Sequence, residues 1–170
     1  MDFFSRRSIR KYKETKIEEK KISEILALAT LAPSGKNKKP CEFLAVSHRE
    51  TLKKLMEVKA KGIAMLEHAS HGIIVLGKPE ISDTWIEDCS IAATLIQLKA
   101  WELGIGSCWI QIRGREDILG NCSEKKTKEL LSLPEELGVL CIISLGYPDE
   151  TKPEYTEKDV ENWRIHIEKY

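Results

Sequence analysis

No apolar run in this chain approaches the ~18 residues that a membrane-spanning helix requires. The opening segment, MDFFSRRSIRKYKE, has no apolar stretch of the kind a secretory signal needs. Neither sign of charge is in excess, with 27 Lys and Arg against 27 Asp and Glu. That balance disfavours nucleic acid as the main partner, because nucleic-acid-binding domains usually carry a basic surplus. Cysteine occurs five times, at 41, 89, 108, 122 and 141, but never as CxxC. The odd number and the spacing argue against both a structural zinc and a disulfide framework. Reduced thiols in a cytoplasmic protein are the simpler expectation. The four histidines lack HExxH spacing. His68 and His71 could share a helix face, but two ligands do not make a structural metal site. No metal is expected.

What is present begins almost at the start. Arg6, Arg7, Ser8, Ile9 and Arg10 place three guanidiniums around one hydroxyl. A guanidinium is a permanent charge with a planar fork of donors, which suits bidentate binding of a phosphate. Read alone, the cluster is either a solvated basic N-terminus or a site for a compact anion.

The 170 residues suffice for one domain with a real core. Thr15 and Glu18 are spaced as a capping box, followed by Ile22, Ile25, Leu26, Ala29 and Ala32 at helical intervals. Pro33 should end that helix. Residues 33–40, PSGKNKKP, are loop chemistry. Strands are expected near 42–46, 73–77, 107–112 and 139–145. Ser47 and Glu50 form a second capping box, Asp83 could cap a long helix over 84–103, and a lysine-rich helix should occupy 123–132. Small residues at 90–94 would let another helix approach closely. The tail, 149–170, is highly charged yet carries Tyr155, Trp163, Ile165, Ile167 and Tyr170. Free tails rarely expose so much apolar surface, so it should pack on its own domain or lie on a second subunit.

GIGSCW at 104–109 is not a dinucleotide fingerprint. Its glycines follow a helix and open a strand, and the third glycine is missing. The order of segments is informative instead. An RRSIR start is followed by Pro33-Ser34-Gly35-Lys36-Asn37, then Gly104-Ile105-Gly106-Ser107-Cys108-Trp109, then Gly146-Tyr147-Pro148. Over essentially the whole chain this order resembles the nitroreductase family of FMN-dependent flavoproteins. Lys39-Pro40-Cys41 departs from that family's Gln-Pro-Trp, and the stretch 57–72 is short.

The resemblance implies an α+β fold, with a central mixed β-sheet flanked by helices. It implies an intertwined homodimer of 1–170 domains, with arm 149–170 on the partner subunit. Arg6, Arg7, Ser8 and Arg10 would hold the FMN phosphate and nearby groups, and Lys152 could support it. Pro33, Ser34, Gly35 and Asn37 would contact the flavin bound mainly by the other subunit. Gly106, Ser107 and Cys108 would lie near the flavin ring, where glycine permits close backbone approach. Arg113 and Arg115 would meet an anionic substrate or the NADPH phosphate, or be surface charge. NAD(P)H would be the transient hydride donor and a small electron acceptor the substrate, in a ping-pong reaction. No side-chain acid or base is demanded, so no catalytic residue is assigned. A flavin-storage protein and other flavin chemistries on the same fold, such as dehalogenation, enoate reduction or flavin fragmentation, are the alternatives.

Overall fold

The computed structural model describes residues 3–170; the first two positions of the expected 1–170 domain lie outside the described residues. Its centre is a four-stranded sheet: β1 (Cys41–Val46), β2 (His71–Gly77), β3 (Gly106–Gln111) and β4 (Gly138–Gly146), in the order β1-β2-β4-β3. β2 and β4 are central. Both are continuous apolar runs, and all nine residues of β4 are buried. A strand covered on both faces needs apolar side chains in both directions, which is why these segments do not alternate.

Every strand pair is antiparallel, so the expectation of a mixed sheet is corrected. Among the described residues the one parallel feature is a bridge between Ser8 and Ser107 at the edge. Apolar runs reveal strands but not the direction of their neighbours.

On one face lie α1 (Glu19–Thr30) and α3 (Trp85–Glu102), which meet over Ile25, Ala29, Cys89, Ala93 and Ile96. The small residues permit this close approach. On the other face lie α2 (Arg49–Leu55), two short 3-10 turns at Met56–Val58 and Ala64–Glu67, and α4 (Ser123–Leu131). Leu52, Leu55, Leu66, Ile74, Ile110 and Ile142 form the core there.

The expected caps are not made. The N-cap of α1 is Glu18, whose carboxylate accepts the Tyr147 hydroxyl at 2.6 Å, and no side chain caps the helix. His48 precedes α2 and Thr84 precedes α3, neither with a side-chain cap. Glu50 pairs instead with Lys53, and Asp83 with Lys38.

The N-terminal segment docks at the Gly106/Gly146 end of the sheet. The Ile9 N–H donates to the Ser107 carbonyl at 2.9 Å, Lys13 N–H to Tyr147 at 2.9 Å, and Asp149 N–H to Lys11 at 2.9 Å. Residues beyond Pro148 form two 3-10 turns and stay largely exposed. Trp163 is 72% and Ile167 83% accessible, so packing on their own domain does not account for them.

Candidate functional site

In an extended segment neighbouring side chains point opposite ways, and this divides the arginine cluster. Ile9 turns inward, 2.8 Å from where a Cβ on Gly106 would stand. Tyr12 is buried over Gly146, with its hydroxyl 2.6 Å from the Ile9 carbonyl and 2.8 Å from Ser144 Oγ. Arg7 points away to the tail, donating to the Pro153 carbonyl and lying over the Tyr155 ring at 4.2 Å. Ser8 and Arg10 face the other way, toward Cys108. Both favour its thiolate, Arg10 by its charge and, more weakly, Ser8 as a neighbouring donor. Burial pushes the Cys108 thiol up, and Arg10 draws it partly back.

Lys59, just after the Met56–Val58 turn, joins this group. Partial burial lowers its pKa, and the neighbouring Arg115 charge lowers it further. Lys59 was not singled out in the sequence. It belongs to no motif, and only the packing of that turn places it near Cys108. Arg113 is elsewhere, over the Trp85 ring at 5.8 Å.

Among the described residues, Arg6, Arg10, Lys59 and Arg115 form no ion pair with a carboxylate. The nearby acid is already engaged. Glu150 accepts the Arg10 N–H at 2.6 Å and the Lys11 N–H at 3.3 Å, and pairs with Lys152 at 2.7 Å. Lys152 therefore supports the clamp on the Arg10 backbone. Its charge is spent on Glu150.

Gly106 makes room for Ile9, whose side chain stands where a Cβ would be. Ser107 is 3% accessible and faces α3, where Gln97 Nε2 reaches its hydroxyl at 3.5 Å.

Pro33, Ser34, Gly35 and Asn37 lie at the opposite end. The start of β1 pairs with Gly77, which pairs with Gly138; Cys108 pairs with Ser144. Six residues of strand and three strand intervals separate the ends, about 20 Å along the sheet and about 14 Å across it. A single chain does not bring the two groups together. The loop is nevertheless fixed. Buried Asp88 accepts the Gly35 N–H at 2.8 Å and the Ser82 hydroxyl at 3.1 Å. Lys36, Asn37 and Lys39 adopt left-handed φ of 52°, 54° and 49°. Such strain persists only where the surroundings over-determine it.

The sequence model of the Nitroreductase family matches residues 4–73 and 60–147. The chain is similar to an FMN-dependent nitroreductase of Clostridium difficile R20291, with 43% identity, a TM-score of 0.94, and 98% of this chain and 97% of that one covered. It is 42% identical to a protein of Archaeoglobus fulgidus named "Putative NADH dehydrogenase/NAD(P)H nitroreductase", over 98% of this chain and 95% of that one. The fold recurs, at 22% identity and a TM-score of 0.72, in a Desulfovibrio desulfuricans protein solved in complex with FMN, with 91% of this chain and 90% of that one covered. With the RRSIR segment docked on β3, the PSGKN loop clamped by Asp88, and relatives matched along nearly the whole length, the chain belongs to the nitroreductase family of oxidoreductases.

Proposed function

We propose that this protein binds FMN as a homodimer, takes a hydride from NAD(P)H and reduces a small conjugated acceptor such as a nitroaromatic or a quinone. The observation that carries the reading is the group of cations, Arg10, Lys59 and Arg115, around Cys108, none of which pairs with a carboxylate among the described residues. Like charges drawn together raise one another's energy unless an anion joins them. A phosphomonoester brings about −1.5 to −2 charges and three acceptor oxygens.

The donors fit that group. Arg6, Ser8 and Arg10 would hold the phosphate, with Lys59 and Arg115 adding positive potential beside it. Glu150 and Lys152 would keep the Arg10 backbone in register. Bound FMN would supply hydride acceptance and release, chemistry that the side chains lack. The chain's own task is binding, orientation and exclusion of water.

Pro33, Ser34, Gly35 and Asn37 would complete the partner's site, because their own lies too far from the cations. Each homodimer would thus carry two composite sites. The exposed Tyr155, Trp163, Ile165 and Ile167 would make arm 149–170 part of that contact, with Arg7 anchoring its root. Residues 1–170 act as one domain in this reading, in the cytoplasm.

Denaturing the purified protein and chromatographing the released ligand tests the cofactor. FMN is expected, with a yellow preparation that bleaches anaerobically on adding NADH or NADPH. FAD, or no flavin even after reconstitution, would overturn the reading. The arm is tested by ending the chain after Pro153, which spares the Glu150–Lys152 clamp. Size-exclusion chromatography with flavin absorbance should then show less dimer and less FMN, steeply dependent on protein concentration. A truncated chain eluting as a full dimer with one FMN per subunit would rule out the exchanged arm.

A further inference from the structure

Two of the five cysteines meet at the loop end of the sheet. Cys41 opens β1, directly after the 33–40 loop, and Cys89 lies in the second turn of α3, one residue after Asp88. The Cys89 thiol is directed at Cys41 Sγ at 3.3 Å and at the Leu76 carbonyl at 3.1 Å. Gly77 makes the meeting possible. It pairs with Cys41 across the sheet, and a Cβ there would stand 2.9 Å from Cys89 Sγ.

The two thiols differ in access. Cys89 is fully buried, whereas Cys41 is half-buried. Cys41 lines a cavity of about 210 Å³ with Ala29, Thr30, Ser34, Lys39 and Phe43. A small oxidant can enter there and reach one sulfur first.

We propose that Cys41 and Cys89 are a redox-active dithiol that closes to an intramolecular disulfide on reaction with a hydroperoxide. In the first step the Cys41 thiolate attacks the terminal peroxide oxygen. The O–O bond breaks, Cys41 becomes a sulfenic acid, and water or an alcohol leaves after taking a proton. In the second step the Cys89 sulfur attacks Cys41 Sγ. The S–O bond breaks, the S–S bond forms, and the Cys89 proton departs with the hydroxide as water. The two sulfurs together lose two electrons and the peroxide gains them. Closure to a bond of about 2.05 Å requires the sulfurs to approach by a little over 1 Å.

The electrostatics agree with this order of events. The hydrogen bond from Cys89 holds the Cys41 pKa below the ordinary thiol value, while the same bond and burial push Cys89 up. Thiolate is the reactive form, so Cys41 is the nucleophile and Cys89 the resolving thiol. The disulfide would tie the start of β1 to α3, next to the Asp88 clamp on Gly35. Oxidation would thereby stiffen the 33–40 loop.

The inference stands on the thiols alone and does not depend on the flavin reading. Its test uses the full-length protein in a Cys122→Ser background, because Cys122 is exposed. Hydrogen peroxide should remove two hydrogens from the intact mass and link the Cys41 and Cys89 peptides, reversibly with dithiothreitol. Amide exchange over 33–40 should slow in the oxidised form. Cys89→Ser, which can still donate to the Leu76 carbonyl, should stop at the sulfenic acid, trapped by dimedone on Cys41. If that variant does not fold, Cys41→Ser serves instead and should abolish the loss of two hydrogens. The proposal is overturned if Cys41 advances to sulfinic acid without a cross-link, if both thiols persist through treatment, or if the cross-link joins other cysteines.

Discussion

The two ends of the sheet solve the same problem with different materials. At one end Ile9 and Tyr12 fill the spaces left by Gly106 and Gly146; at the other, Trp85 covers both Gly77 and Gly138, with Cys89 Sγ also against Gly77. At each end a carboxylate grips backbone N–H groups of a segment that carries candidate site residues. Glu150 holds Arg10 and Lys11, and Asp88 holds Gly35. Asp88 is buried among Ser82 and Thr84 hydroxyls, whereas Glu150 sits at an edge beside Lys152. The loop end is therefore built into the core, and the arginine end is a docked strand. Each half of the proposed site is shaped within one chain, and in the proposed homodimer a second copy would bring them together.

If Trp85 is the common plug of its end, removing it should have the largest effect. Trp85→Ala empties the space over two strands at once and should cost about 3–5 kcal/mol. At the other end Tyr12→Phe keeps the ring and loses only hydroxyl contacts, so about 1 kcal/mol is expected. Urea denaturation monitored by circular dichroism measures both. Similar losses would mean that the two ends are packed alike.

The clamps sharpen the contrast. Asp88→Ala leaves the part-buried Gly35 N–H without its acceptor and should cost roughly 1.5–3 kcal/mol, the contribution of a hydrogen bond to a charged group. Faster amide exchange confined to 33–40 would accompany it. Arg10→Ala should leave stability nearly unchanged and weaken FMN binding roughly ten- to a hundredfold, from the same range for one charge-assisted bond. Riboflavin, which lacks the phosphate, should bind the variant almost as before. Equal loss of both ligands in a fluorescence titration would move Arg10 from the phosphate to the ring or to folding.

The strands were legible because buried strands need unbroken apolar runs, and 42–46, 73–77, 107–112 and 139–145 have them. Pairing direction was not, because β2 and β4 bury both faces and carry no alternation that would orient a neighbour. Capping boxes at Thr15 and Ser47 misled because local spacing cannot know that Tyr147 will take the Glu18 carboxylate. The arginine cluster was visible as composition, but its division was not: Arg7 and Arg10 part ways only once residues 8–13 are laid along Ser107 of β3 and Tyr147-Pro148 after β4. Lys59 and the Cys41–Cys89 pair are brought into place by tertiary packing, across separations that no motif spans.

The smallest expected effect tests whether the arginine end really is the looser one. Hydrogen bonding from Lys152, and then from the Arg10 and Lys11 backbone, holds the Glu150 carboxyl below its usual pKa. A carboxylate depressed on folding contributes stability that is present above its unfolded pKa, about 4.3, and is lost as pH falls through the folded value. Acidification below pH ~4.3 should therefore release the 8–13 segment. Glu150→Gln removes the charge at every pH, so its 8–13 amides should exchange about two- to tenfold faster at neutral pH, the range for one modest hydrogen bond. With pH-corrected exchange rates, the variant's protection should then be nearly flat where the parent's declines. A parent whose 8–13 amides remain protected through the acid range would show that the β-bridges alone hold the segment, and that the two carboxylates do different jobs.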